Sequence, residues 1–217
     1  MDKYLPILGI ETSGDICSVC VYVDEKRFVE KNVMDKHIHS EKLFEIIEEC
    51  SNDLKGTDEF RSIALSVGPG SFTGLRIGMA AAKGIAIGKN LPIIPVPTMD
   101  AFAFGLLPYL SEGNQFVIAN NVNRDEIYFA KYKKNNNKIH VLQAPMLLET
   151  EYFQEHISDQ DVLFGSYKFC DEGDFSPFPS SLNISRWAYF FGQELLTYNH
   201  DYLEPNYLKN FVAKVKK

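Results

Sequence analysis

The chain is short of cations, short of cysteine and free of long apolar runs, and each shortage closes off a class of function. Lys and Arg total 22 against 29 Asp and Glu, a formal net charge of −7 over 217 residues. A general nucleic-acid-binding surface gathers Lys and Arg on one face. The basic cluster here is the C-terminal Lys214-Val215-Lys216-Lys217, which reads as a solvated end. Four cysteines are few for the length. Cys17-Ser18-Val19-Cys20 has the spacing of redox and zinc sites, but Ile16–Val23 reads as a strand. Residues three apart on a strand point to opposite faces. No second CxxC completes a zinc set, so Cys17, Cys20, Cys50 and Cys170 are expected to be free thiols. The first apolar run, Ile7-Leu8-Gly9-Ile10, passes directly into polar residues and is too short for a signal peptide or membrane span. A cytoplasmic protein without a membrane partner is expected. With 45% hydrophobic residues, the chain can build one large domain or two small lobes.

What is present concentrates at Gly68-Pro69-Gly70-Ser71-Phe72-Thr73-Gly74-Leu75-Arg76-Ile77-Gly78. This loop follows the apolar run 63–67 and opens a small-residue helix, Met79–Ala86. Glycine-rich turns between strand and helix are frequent phosphate sites. The details depart from that use. A Walker A loop ends in Gly-Lys-Ser/Thr, whereas this one offers Gly74-Leu75-Arg76; a dinucleotide fingerprint reads GxGxxG, whereas these glycines give GxGxxxGxxxG.

Periodicity predicts strands at 5–11, 16–23, 27–33, 63–67 and 93–96. A helix begins near Ser40 as N-cap, with Leu43, Ile46, Ile47, Cys50 and Leu54 as its stripe. Further helices are expected at 73–88 and 98–109. From 115 the order begins again, with strands at 115–121, 126–132, 138–144 and 162–165 and helices at 149–156 and 183–199, the last capped by Asn183 or Ser185. Two successive βββαβα halves predict a duplicated two-lobed α/β fold with mixed sheets, divided at residues 1–104 and 105–217. The C-terminal segment is expected to reach back to the first lobe.

Three stretches together carry a resemblance: Gly9-Ile10-Glu11-Thr12-Ser13-Gly14-Asp15 at the end of the first strand, the glycine loop, and Ile93-Ile94-Pro95-Val96-Pro97-Thr98-Met99-Asp100-Ala101. With His39-Ser40-Glu41-Lys42-Leu43 and Glu204-Pro205-Asn206-Tyr207-Leu208, they resemble the TsaB (YeaZ) family. That resemblance covers the first lobe well and the second thinly. It implies an actin/Hsp70/sugar-kinase (ASKHA) fold and a part in making threonylcarbamoyladenosine in tRNA. In the catalytic paralogue TsaD, two histidines after the Pro-Val strand hold a metal. Thr98 and Phe102 stand at those places, and phenylalanine cannot bind metal. The second-lobe Gly-Gly phosphate loop is absent too, since the chain has no Gly-Gly pair. The resemblance therefore implies a pseudo-enzyme that has no catalytic residues and binds no metal.

Helix 73–88 carries two rows of small residues at spacing four: Gly74, Gly78 and Ala82, and Ala80, Gly84 and Gly88. One row is expected to pack on the chain's own sheet. The resemblance implies that helices one and two dock on a TsaD-like subunit, or on a second copy, as a four-helix bundle. Ser40, Leu43, Ile47, Gly70, Ser71, Phe72, Thr73, Gly74, Arg76, Ile77, Gly78 and Ala82 are the residues assigned to that docking, with Gly78 and Ala82 as its test positions. Arg76 could face a partner carboxylate, a shared phosphate or an acid of its own chain. Glu11, Thr12 and Ser13 are the candidates for residual nucleotide binding, with no cofactor required and weak ATP or ADP binding left open. A TsaE-like ATPase would engage the assembled pair, and tRNA would be met only through the complex. The competing reading is a free-standing ATPase, small-molecule kinase or metallopeptidase of the same fold. His37-Ile38-His39 lacks a third ligand and reads as loop or cap, and Ser71 and Thr73 lack a His/Asp partner for a hydrolase triad. Asn121 and Asn123 depart from the acidic pattern of the family, leaving Arg124, Glu126 and Tyr128 as structural or inter-lobe contacts.

Overall fold

The computed structural model describes residues 1–34, 39–54, 60–167 and 178–208. Strands β1 (Ile7–Glu11), β2 (Ile16–Asp24) and β3 (Arg27–Met34) form an antiparallel meander. Strands β4 (Ser62–Ser66) and β5 (Ile93–Val96) join in parallel beyond β1, giving the order β3-β2-β1-β4-β5. Parallel neighbours need long crossovers. Helix α1 (His39–Asp53) supplies the one into β4 and α2 (Phe72–Lys89) the one into β5.

Every residue of β1 and β4 is buried, the mark of a sheet covered on both faces. On one face Leu8, Ile10, Val19 and Leu65 meet Leu43, Ile46, Met79 and Ala82 of α1 and α2. On the other, Ile7, Tyr22, Ala64 and Ile94 meet Ile184 and Ala188 of the last helix, α5 (Ser181–Phe191). Cys17 falls in the first cluster and Cys20 in the second, as strand alternation requires. Both are free, as is Cys50. Burial pushes the Cys17 thiol up to about 11 and the Cys50 thiol up to about 12, so both stay protonated at neutral pH. Cys170, His37 and the lysine-rich tail lie outside the described residues.

A second sheet repeats the first four strands. Strands β6 (Gln115–Asn121), β7 (Glu126–Asn135), β8 (Lys138–Glu149) and β9 (Val162–Phe164) run in the order β8-β7-β6-β9, with β6 and β9 parallel. Its crossover helix α4 (Phe153–His156) has 4 residues against 15 in α1. No counterpart of β5 is found among the described residues.

The helices are exchanged between the sheets. Helix α3 (Thr98–Leu106) follows the first sheet, yet Met99, Phe102 and Leu106 pack with Phe116, Ile118 and Tyr132 of the second. The Tyr132 hydroxyl donates to Asp100 Oδ1 at 2.9 Å, and Lys134 Nζ donates to the Leu107 and Leu110 carbonyls at 2.8 Å each. The boundary expected at 104 falls inside α3.

Several element ends differ from expectation for physical reasons. Helix α5 ends at Phe191 rather than Asn199, because Thr197 pairs with Ile93 through two 2.9 Å backbone bonds and draws the chain out along β5. Ser180 caps it, its Oγ accepting from Asn183 N. Helix α3 stops at Leu106 and continues as a 3-10 turn containing Pro108. The helix expected at 149–156 is a 3-10 turn, Thr150–Tyr152, followed by α4. Helix α1 begins at His39, so Ser40 sits in its first turn and is not its cap. No helix among the described residues is long and apolar enough to cross a membrane.

Candidate functional site

The glycine loop is built against the turn that leaves β1. Ser71 caps α2, its Oγ accepting from Gly74 N at 3.2 Å, while Ser71 N donates to Ser13 O at 2.6 Å. Thr12 Oγ1 donates to Gly74 O at 2.8 Å. A Cβ placed at Gly74 would lie 2.0 Å from Thr12 O, and one at Gly78 would lie 2.4 Å from Thr12 Oγ1. Glycine is needed at 74 because two backbones touch, and at 78 because the Thr12 side chain fills the space.

This corrects the docking assignment. Gly74, Gly78 and Ala82 form the inner row of α2, buried on the chain's own first lobe. Gly70 likewise abuts Ser13. The outer row is Ala80, Gly84 and Gly88: Ala80 is exposed, and a Cβ at either glycine meets nothing within 4 Å among the described residues. Leu43 and Ile47 are core residues and are unavailable to a partner, whereas Ser40 and Phe44 of α1 are exposed. On α2, Thr73 and Arg76 are exposed, Ile77 is half-buried against the first core, and Ile87 is 65% exposed.

Of the three nucleotide candidates, two point away from the cleft. Thr12 and Glu11 are buried, and only Ser13 borders open space. The Glu11 carboxylate accepts from Ser13 N with one oxygen; the other oxygen is buried without a partner among the described residues. Burial raises the Glu11 carboxyl above its ordinary value, against the weaker opposing pull of Ser13 and Ser66 nearby. The Ser66 hydroxyl is itself buried near that carboxylate, with no close hydrogen-bond partner among the described residues.

The β1–β2 turn, the glycine loop and the β6–β7 turn surround a cleft of about 770 Å³ between the lobes. Tyr128 OH spans it, donating to Gly70 O at 3.4 Å. Asn121 is tied to Ser166 through its backbone N–H and its side-chain amide, and the Asn123 side chain is tied to Glu126 and to Asp125 N. These amides therefore build the turn. Arg124 is exposed beside them.

Thr98 and Phe102, at the expected metal positions, have other employment. Gly68 N donates to Thr98 Oγ1 at 3.0 Å, and Thr98 N returns a bond to Gly68 O at 3.0 Å. Phe102 lies in the second core. His39 is buried at the head of α1.

Arg76 finds its partners in aromatic residues. Its Nε donates to Tyr207 OH at 3.0 Å, and its guanidinium sits 3.8 Å from the centre of the Phe72 ring, which lies 4.9 Å from that of Tyr207. Asn206 N donates to Val67 O at 2.7 Å, so the segment around Tyr207 lies along the glycine loop and walls one side of the cleft. Local sequence patterns did not mark Tyr207 as part of the site; 131 residues separate it from Arg76.

Comparison with known proteins is consistent with this geometry. The family model described as "TsaD: tRNA N6-adenosine threonylcarbamoyltransferase" matches residues 33–213. The chain is similar to the Haemophilus influenzae "tRNA threonylcarbamoyladenosine biosynthesis protein TsaB", 33% identical over 129 residues that cover 58% of this chain and 53% of that one. That match spans about half of the relative's length. It is also similar to the Buchnera aphidicola protein of the same name, 28% identical over 83% of this chain and 80% of the relative. The solved structure of YeaZ from Pseudomonas aeruginosa superposes with a TM-score of 0.73 at 20% identity, covering 93% of this chain and 99% of that one. The fold is thus the two-lobed ASKHA type in a duplicated form.

Proposed function

Because the chain belongs to the TsaD family, we propose that it is the non-catalytic subunit that docks on a TsaD-like catalytic subunit and supports threonylcarbamoyl transfer to tRNA adenosine. The observation that carries this reading is the outer row of α2. Glycine inside a helix costs about 1 kcal/mol relative to alanine. Among the described residues, Gly84 and Gly88 make no close approach that would explain that cost. A second helix laid against Ala80, Gly84 and Gly88 would use the open space, as small residues at spacing four allow. Phe44 of α1, 59% exposed, and Ile87 supply apolar area on the two helices concerned.

The filled metal positions support the subunit reading over a free-standing ATPase, kinase or metallopeptidase. The Thr98 hydroxyl is spent on the glycine loop, and Phe102 is core. In this scheme a TsaE-like ATPase engages the assembled pair and tRNA is met through the complex, in the cytoplasm.

Co-expression with the TsaD-like subunit of the same genome tests the proposal. Gly84→Trp should lower the co-eluting fraction at least about tenfold, which is ~1.4 kcal/mol. Its Tm should stay at the wild-type value, because the new side chain points into open space. Undiminished co-elution would sink the docking proposal.

A further inference from the structure

The inter-lobe cleft has a chemistry of its own. Among the described residues that line it, the only charged one is Asp15; no lysine, arginine or histidine is among them. Asp15 has no ion-pair or hydrogen-bond partner among the described residues, and it stands at the tip of the β1–β2 turn. Three backbone donors of the glycine loop are already bonded. Gly68 N serves Thr98 Oγ1, Ser71 N serves Ser13 O, and Gly74 N serves Ser71 Oγ. Arg76 is held on Phe72 and Tyr207 and does not line the cleft. Polyphosphate binding depends on such cations as well as on amides, and among the described lining residues no cation is offered.

What remains favours a flat, uncharged ligand. Phe72, Tyr128, Phe178 and Tyr207 contribute aromatic surface, and Ser13, Asn120 and Ser166 are among the neutral polar groups. A cleft of about 770 Å³ lies within the range that drug-sized ligands occupy. A lone carboxylate beside aromatic walls suits a base that packs on the rings and a sugar whose hydroxyls donate to the acid, the role an acidic residue plays toward ribose in dinucleotide sites.

We propose that this cleft binds an unphosphorylated nucleoside and discriminates against nucleotides. The proposal rests on the lining alone and is independent of the docking reading, because it is tested on the isolated chain.

The experiment is calorimetric titration of the full chain with adenosine, guanosine and uridine, each set against ATP with magnesium. At least one nucleoside should give a saturable isotherm, with ATP weaker by about tenfold or more. Gly14→Phe should abolish that isotherm without changing Tm. Gly14 lines the cleft, and a Cβ there meets nothing within 4 Å among the described residues, so the new ring fills the cleft and leaves the core alone. Asp15→Asn should weaken the nucleoside several-fold, a second readout that a purely steric effect would not give. The proposal falls if no nucleoside binds, if ATP binds as tightly as the best nucleoside, or if Gly14→Phe leaves the isotherm intact.

Discussion

Gly74→Val is expected to cost the protein its first lobe. The valine Cβ would be placed 2.0 Å from a backbone oxygen, that of Thr12. That oxygen cannot withdraw cheaply, since Thr12 is fully buried and its hydroxyl is bonded to Gly74 O. Relief must come from pushing α2 off the sheet. That movement breaks the Thr12 bond and opens the contacts of Met79 and Ala82 beyond it. Overpacking alone typically costs 1–3 kcal/mol, and a backbone-to-backbone clash with a lost buried bond should exceed that range, at roughly 4 kcal/mol. Against a total stability of roughly 5–15 kcal/mol, the expected result is low soluble yield and a denaturation midpoint far below wild type. Gly84→Val is the control. It adds the same side chain to the same helix on the open side, where valine is a slightly better helix former than glycine, and its midpoint should match or exceed wild type. Equal midpoints for Gly74→Val and wild type would refute the inner-row assignment.

The second large effect has the opposite sign. Glu11→Gln should stabilise the protein at neutral pH. The carboxyl of Glu11 is buried and one of its oxygens has no partner among the described residues, close to a Ser66 hydroxyl in the same position. Burial raises its folded value above the ordinary 4.5. For a carboxyl shifted upward, the folded state binds its proton more tightly than the unfolded state does. Its favourable contribution is therefore complete below about pH 4.5 and is lost as pH rises through the raised folded value. Glutamine keeps the carbonyl that accepts from Ser13 N and presents a neutral amide where the unpartnered oxygen was, within the neighbourhood of Ser66. Removing a poorly satisfied buried ionisable group is worth on the order of 2 kcal/mol. The measurement is Tm of both proteins from pH 4 to pH 8. The gap in favour of glutamine should be small at the acid end and widen toward neutrality. A glutamine variant that is less stable than wild type at pH 7.5 would show that the charged form of Glu11 is held by favourable contacts.

Much of this architecture was legible along the chain because it depends on short-range periods. Strand alternation placed Cys17 and Cys20 on opposite faces, and spacing four picked out the two small rows of α2. The sequence could not say which row faces inward. Both rows are equally small, and the deciding contact is with Thr12, 62 residues away. The same holds for Leu43 and Ile47, whose helical stripe was correct but whose partner is the chain's own sheet. The early end of α5 and the placing of Tyr207 against Arg76 were hidden for a related reason. Both are set by pairings across long stretches, Thr197 with Ile93 and Tyr207 with Arg76. A local helical pattern yields where an extended partner offers its free edge.

The exchange of α3 and α5 also constrains the order of folding. The strands of the first sheet are complete at Val96, but among the described residues the helix that covers one of its faces is α5, which begins at Ser181. Until that helix has been synthesised, Ile7, Tyr22 and Ile94 lack the cover that Ile184 and Ala188 give them. Helix α3, in turn, must wait for Phe116 and Tyr132. The first half therefore cannot mature during translation before the strands of the second have been made. The two lobes should melt as one cooperative unit, and a chain cut between them should behave as an aggregating fragment and not as a small domain.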